Sequence, residues 1–233
     1  MLGRLSGEGV SLSVDRAGAR VGNALRRRLV ERRERRKRVS VDNVLYLHGF
    51  NSHPDSPKAR QTCDACARLA SRPRFVAPVL PNRPADAFAV ALEAFDSLKG
   101  PTLVIGSSMG GFLATCLAER RRIALLGLIN PAVHPARLAR GMVDVEQVNP
   151  VTGARSRVEP CYVDQLLELD PPRPREPSRF TVLLGGCDEV LDHREALRFY
   201  RGARVLVVPG DNHALGAYPR LLPGLLARAG LIG

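Results

Sequence analysis

The chain has no tryptophan, five cysteines in 233 residues, and no uninterrupted apolar run of the roughly 18 residues a membrane helix needs. That last absence excludes a membrane-spanning helix. The five thiols are an odd number scattered through apolar segments, so a reducing, cytoplasmic setting is expected rather than a disulfide framework. Cys63 and Cys66 make a CxxC, but no second pair or nearby histidine completes a zinc site. Neither a metal nor an organic cofactor is expected. The first residues lack the apolar core of a secretory signal. The sequence also lacks a P-loop lysine, a GxGxxG fingerprint and any recognisable nucleic-acid motif.

Negative charge is in short supply, though unevenly. The net charge is +12, and the first 40 residues hold 12 Lys+Arg against 4 Asp+Glu. Two thirds of the excess therefore describes an arm, not a fold. Residues 1–40 contain the block RRRLVERRERRKR, preceded and entered by apolar residues Val14, Ala17, Val21, Leu25 and Leu29 at helical spacing. Two readings stand: a solvated, frayed or non-native extension, or a weak contact with an anionic surface. Without interleaved aromatics, specific nucleic-acid binding is not expected.

From Val41 the pattern changes. NVLYLHG, RFVAPVL, PTLVIG, IALLGLIN, FTVLLG and ARVLVVP are short aliphatic runs that end on turn residues. Runs apolar at every position suit parallel strands covered on both faces. Amphipathic stretches near 57–71, 85–97, 109–121, 192–200 and 216–229 alternate with them, which calls for a parallel sheet flanked by helices. Residues 132–179 break the rhythm. They carry many prolines, no strand signal and one short helix around 161–169, and they read as a lid. Leu138, Met142, Val143 and Leu166 in this segment are candidates to line a pocket.

Between PTLVIG and the helix MGGFLATCLAER lies GSSMG, which fits GxSxG with Gly106 and Gly110 around Ser108. A sharp strand-to-helix turn leaves no room for side chains two residues either side of its apex. Centring the pattern on Ser107 would put Ile105 and Met109 at those places. Ser108 is therefore the candidate nucleophile, with helix capping as its plainer use.

A serine hydroxyl needs a base. On this topology the acid and then the histidine should each follow a later strand. His213, in GDNHAL behind the last run, is placed for the base. Asp188 sits in the loop after FTVLLG and is taken as the acid. Asp192 has Glu195 three residues on, a capping-box arrangement that gives it another task. Asp211 is explained by the turn PGDN. The backbone N–H groups of Met109 and Phe50 are the expected oxyanion donors. His48 closes the first strand and is read as shaping the loop that carries Phe50.

Taken together, YLHGFNSHPDSPKARQ, GSSMGGFLAT, INPAV, NPVTG, GCDEVLDHREALRFY and GDNHA resemble the YqiA-like esterases, a branch of the α/β-hydrolase superfamily. The resemblance covers the chain from about Asn43 onward and leaves out the basic arm. It implies a compact α/β-hydrolase fold and an esterase whose Ser–Asp–His set falls on Ser108, Asp188 and His213. The expected architecture is a mainly parallel sheet of about six strands over residues 41–233, without the antiparallel leading strands of larger relatives. The expected substrate is a small ester. An acyl-CoA thioesterase and a non-catalytic scaffold binding partners through the arm remain as alternatives.

Overall fold

The computed structural model describes residues 40–232; apart from Ser40, the basic arm lies outside the described residues. The six apolar runs become six parallel strands: β1 (Asn43–Leu47), β2 (Arg74–Val76), β3 (Thr102–Ser107), β4 (Leu125–Ile129), β7 (Phe180–Gly185) and β8 (Arg204–Val208). Their spatial order is β2-β1-β3-β4-β7-β8. The chain leaves β1 toward one side and returns at β3 on the other. The loops after β1 and β3 therefore meet at a topological switch point, where open α/β sheets gather their ligands.

Every residue of β1, β3, β4 and β7 is buried, and alternate side chains feed two separate cores. Leu45, Leu47, Val104, Leu126, Leu128, Val182 and Leu184 face one side. There they pack under helices α2 (Pro84–Asp96), α3 (Met109–Arg120) and α6 (His193–Phe199). Val44, Tyr46, Leu103, Ile105, Leu125, Ile129 and Leu183 face the other, under α1 (Pro57–Arg68) and α7 (Tyr218–Arg228). The edge strands differ: β2 and β8 are only partly covered, and Leu206 is 45% exposed. Proline starts α1 and α2, where its fixed φ suits the helix and its missing N–H costs nothing.

The interval 132–179 differs from its strand-free expectation. It holds α4 (Ala136–Arg140), a hairpin of β5 (Glu146–Val148) and β6 (Arg155–Arg157), and α5 (Pro160–Leu169). The hairpin pairs antiparallel, Glu146 with Arg157 and Val148 with Arg155. Its strands have three residues each and almost no apolar content, too little to register as a pattern. Its turn is local chemistry: the Asn149 side-chain oxygen accepts from the N–H groups of Val151 and Thr152, and Gly153 takes the left-handed conformation at φ 72°.

Candidate active site

Ser108 stands at the apex of the turn from β3 into α3 with φ 54° and ψ −119°, a backbone conformation rarely adopted by residues other than glycine. The two framing glycines are needed on steric grounds. A Cβ on Gly106 would lie 2.3 Å from the Gly110 carbonyl oxygen, and one on Gly110 would lie 2.0 Å from that of Leu47. Neither could be relieved by a side-chain shift, because the obstacles are backbone. Ser108 occupies the capping position of α3, yet its side chain makes no capping hydrogen bond. Its Oγ lies 3.1 Å from Nε2 of His213 instead. Ser107 is turned inward, 8% exposed, beside the buried Tyr46 hydroxyl.

On the far side of the imidazole, Nδ1 of His213 lies 2.8 and 3.0 Å from the two carboxylate oxygens of Asp188. The structure thus brings Ser108, His213 and Asp188 into one hydrogen-bonded line from three loops of the sheet's carboxyl edge. The Asp188 side chain is 2% exposed, and one of its oxygens also accepts from the N–H groups of Val190 and Leu191. Burial pushes its pKa up, but the bonds from His213, Leu191 and Val190 together outweigh burial and hold it below the usual carboxylate range.

Asp192 lies elsewhere. It caps α6 by accepting from the Arg194 N–H at 2.9 Å. The capping box is incomplete, because the Glu195 carboxylate pairs with Arg137 at 2.8 Å. Asp211 accepts from the N–H groups of Asn212, Gly216 and Ala217, so it folds the loop around His213 without touching the ring.

Three further residues fix that loop and were given no role in the sequence. Asn130, 2% exposed and at φ 40°, donates to the carbonyls of Asn212 and His213 while its oxygen accepts from the Gly185 N–H. It joins the ends of β4 and β7 to the histidine loop. Glu189 accepts from the His213 N–H at 3.0 Å, and Lys58 on α1 donates to the Ala214 carbonyl at 2.9 Å. Burial lowers the Lys58 pKa, against the opposing pull of Asp188 and Asp211. All three fall inside the motifs that carry the family resemblance, Lys58 in SPKARQ, Asn130 in INPAV and Glu189 in GCDEV, yet nothing in spacing or periodicity singles them out.

The loop after β1 closes the site from the other side. His48 is buried at 2% exposure; its Nδ1 faces the Gly49 carbonyl at 2.9 Å and its Nε2 accepts from the Leu80 N–H at 3.0 Å. Accepting at Nε2 puts the proton on Nδ1, and burial holds the ring's pKa down, so His48 is a neutral brace. A Cβ on Gly49 would lie 3.3 Å from that of Ser108, so the loop runs directly over the serine. Phe50 and Met109 both border the cavity beside Ser108. Among the described residues, neither backbone N–H has a hydrogen-bond acceptor.

That cavity measures about 250 Å³. Ser108 and His213 stand at one wall, and Leu113, Leu138, Met142, Val158 and Leu166 supply much of the rest. Of the four candidates from the sequence, Leu138, Met142 and Leu166 line it. The fourth, Val143, does not: it packs against the core under α2 and α3 and bridges to Val158. Cys63 is exposed and Cys66 buried on α1, away from the cavity and with no disulfide. Among the described residues no group of side chains is suited to hold a metal, and no helix is long and apolar enough to cross a membrane.

A family model described as an uncharacterised protein family (UPF0227) matches residues 43–227. Among solved structures, Est1E from Butyrivibrio proteoclasticus superposes with a TM-score of 0.61 at 15% identity, over 83% of this chain and 90% of that one. The mouse alpha/beta hydrolase domain-containing protein 10 gives 0.61 at 16%, over 79% and 88%. The monoacylglycerol lipase of Paleococcus ferrophilus gives 0.55 at 12%, over 82% and 96%. At such identities the likeness establishes the α/β-hydrolase fold.

Proposed function

Since the chain belongs to the YqiA-like family UPF0227 of the α/β-hydrolase superfamily, we propose that it is a serine esterase that cleaves carboxylic esters through an acyl-serine intermediate. The observation that carries this reading is the Ser108–His213–Asp188 line opening into an apolar cavity.

In this reading Ser108 Oγ attacks the ester carbonyl carbon while His213 Nε2 takes the hydroxyl proton. Asp188 holds the proton-bearing Nδ1 toward itself and stabilises the imidazolium. The negative charge arriving on the carbonyl oxygen is received by the N–H groups of Met109 and Phe50. Collapse of the tetrahedral intermediate breaks the bond to the alcohol oxygen, which leaves with the proton from His213. Water, deprotonated by the same imidazole, then attacks the acyl-serine, and the acid departs as Ser108 recovers its proton.

The cavity speaks for the acyl group. By comparison with a 150 Å³ apolar cavity that takes benzene, about 250 Å³ accommodates an uncharged acyl chain or aryl group of about ten non-hydrogen atoms. Est1E has been solved with ferulic acid bound.

The test is labelling with a fluorophosphonate probe beside a panel of p-nitrophenyl esters and acyl-CoAs of increasing chain length. Labelling of Ser108 with ester turnover peaking at medium chains is the expected outcome, and the acyl-CoA arm separates ester from thioester preference. An unlabelled Ser108 in folded protein overturns the reading.

A further inference from the structure

Asn51 in HGFNS and Asn149 in NPVTG take no part in the reaction as written, yet each side chain bonds the backbone beside the other. Asn51 follows Phe50 directly and stands at φ 51°, the left-handed region. Its side-chain amide donates to the Val148 carbonyl on the hairpin at 2.8 Å. In return, the Asn149 amide of the hairpin turn donates to the Ser52 carbonyl at 3.1 Å. The backbone N–H of Asn51 is held by the Asn82 side-chain oxygen at 3.1 Å, and the Asn82 amide donates to Ser156 Oγ on β6 at 2.7 Å.

Phe50 thus lies between two clamps. His48 fixes the loop on the sheet side, through Gly49 and Leu80. The asparagines fix it on the other side, and each of their three bonds to the hairpin reaches a different part of it: β5, the turn and β6. An ordinary turn would need none of them. They determine where the peptide carrying the Phe50 N–H points relative to Ser108.

Resting on the esterase reading, we infer that the β5–β6 hairpin is a working part of the oxyanion hole, with Asn51, Asn82 and Asn149 as positioning residues for the Phe50 N–H. The interval 132–179 then does two separate things. Its helices line the acyl cavity, and its hairpin aims a hydrogen-bond donor. The three asparagine bonds to the hairpin are made by amides, carbonyls and a hydroxyl, none of them titratable.

The test compares full-length wild type with Asn51→Gly, Asn149→Ala and the double variant. Glycine keeps the left-handed backbone of position 51 while removing the strap. With p-nitrophenyl butyrate, each single variant is expected to lose about tenfold or more in kcat, with KM within about twofold, because a misaimed donor weakens the transition state and not the ground state. The double variant is expected to be no slower than the slower single, since both straps hold one joint. Hydrogen exchange supplies a readout that needs no turnover: the amide of residue 51, which Asn82 holds, should exchange about tenfold faster in both variants, with β1 unchanged. A wild type that hydrolyses no ester refutes the esterase reading, and the exchange data then still decide the strap. Unchanged exchange at residue 51 in both variants overturns the inference, as does an unchanged kcat or a loss confined to KM.

Discussion

The sheet's carboxyl edge and the interval 132–179 both border the same cavity, yet they are built by opposite means. At the edge, Ser108 and Asp188 hang from loops after β3 and β7, which are buried at every residue, while His213 follows the partly covered β8 and is tied back to the buried strands by Asn130. In the interval, α4 and α5 still bury Ala136, Ala139, Val163 and Leu166 in the core, but the short polar strands of the hairpin are held by side-chain hydrogen bonds such as Asn51 to Val148 and Asn82 to Ser156. A region fixed by a core can carry a strained residue such as Ser108, because the surrounding packing over-determines it. A region fixed by a few amides can be remodelled without disturbing the sheet. In the proposed reading the triad belongs to the first region, and the fit of the acyl group and the aim of the Phe50 N–H to the second.

The sharpest way to break that division is at the two adjacent serines. Ser108→Ala is expected to abolish ester turnover and probe labelling, whereas Ser107→Ala keeps most of both, since Ser107 faces Tyr46 and not the cavity. Mass spectrometry that finds the probe on Ser107 would reverse the assignment. Next in size, Asp188→Asn should cut kcat by up to about 10⁴-fold, because the amide favours the wrong imidazole tautomer. Asp192→Asn should leave kcat near wild type, because asparagine caps a helix about as well. Turnover by both variants at equal folded fractions decides between the two carboxylates.

In the interval the expected effects are redistributions. Tryptophan at Met142 or Leu166 fills part of the cavity and should move the preferred acyl chain several carbons shorter, with activity on acetate esters retained. An unchanged chain-length profile in both variants, with thermal stability intact, would remove the interval from substrate choice. Smallest of all, Asp192→Ala should lower stability by about 1 kcal/mol in denaturant melts while the folded fraction turns over normally.

The contrast also explains how much could be read from the chain itself. Parallel strands buried on both faces announce themselves as aliphatic runs, and the turn at Ser108 announces itself through Gly106 and Gly110, which backbone contacts of 2.3 and 2.0 Å require. The hairpin sent no such signal, because EQV and RSR have the composition of a loop, and its anchoring to the loop after β1 spans 97 residues of sequence. Asn130 was hidden for another reason. Its importance lies in a positive φ and three hydrogen bonds to distant backbone, none of which leaves a periodic trace. The aspartates were separable only through the helix start at Asp192, and even there Glu195 completes an ion pair with Arg137 instead of the capping box.

The interval leaves the sheet at the end of β4 and re-enters it at β7, and these two strands are neighbours paired from Leu126 with Phe180 to Ile129 with Leu183. In modular terms it is a cassette inserted into one crossover. The entropy of closing such a connection rises only slowly with its length, so longer or shorter cassettes leave the strand register intact. A transplanted cassette has three contacts to reproduce beyond its own folding: an acceptor for the Asn51 amide, a donor to the Ser52 carbonyl and an acceptor for the Asn82 amide. Grafts that reproduce them exchange substrate preference at full turnover, and grafts that ignore them arrive with a new pocket and a slack oxyanion loop.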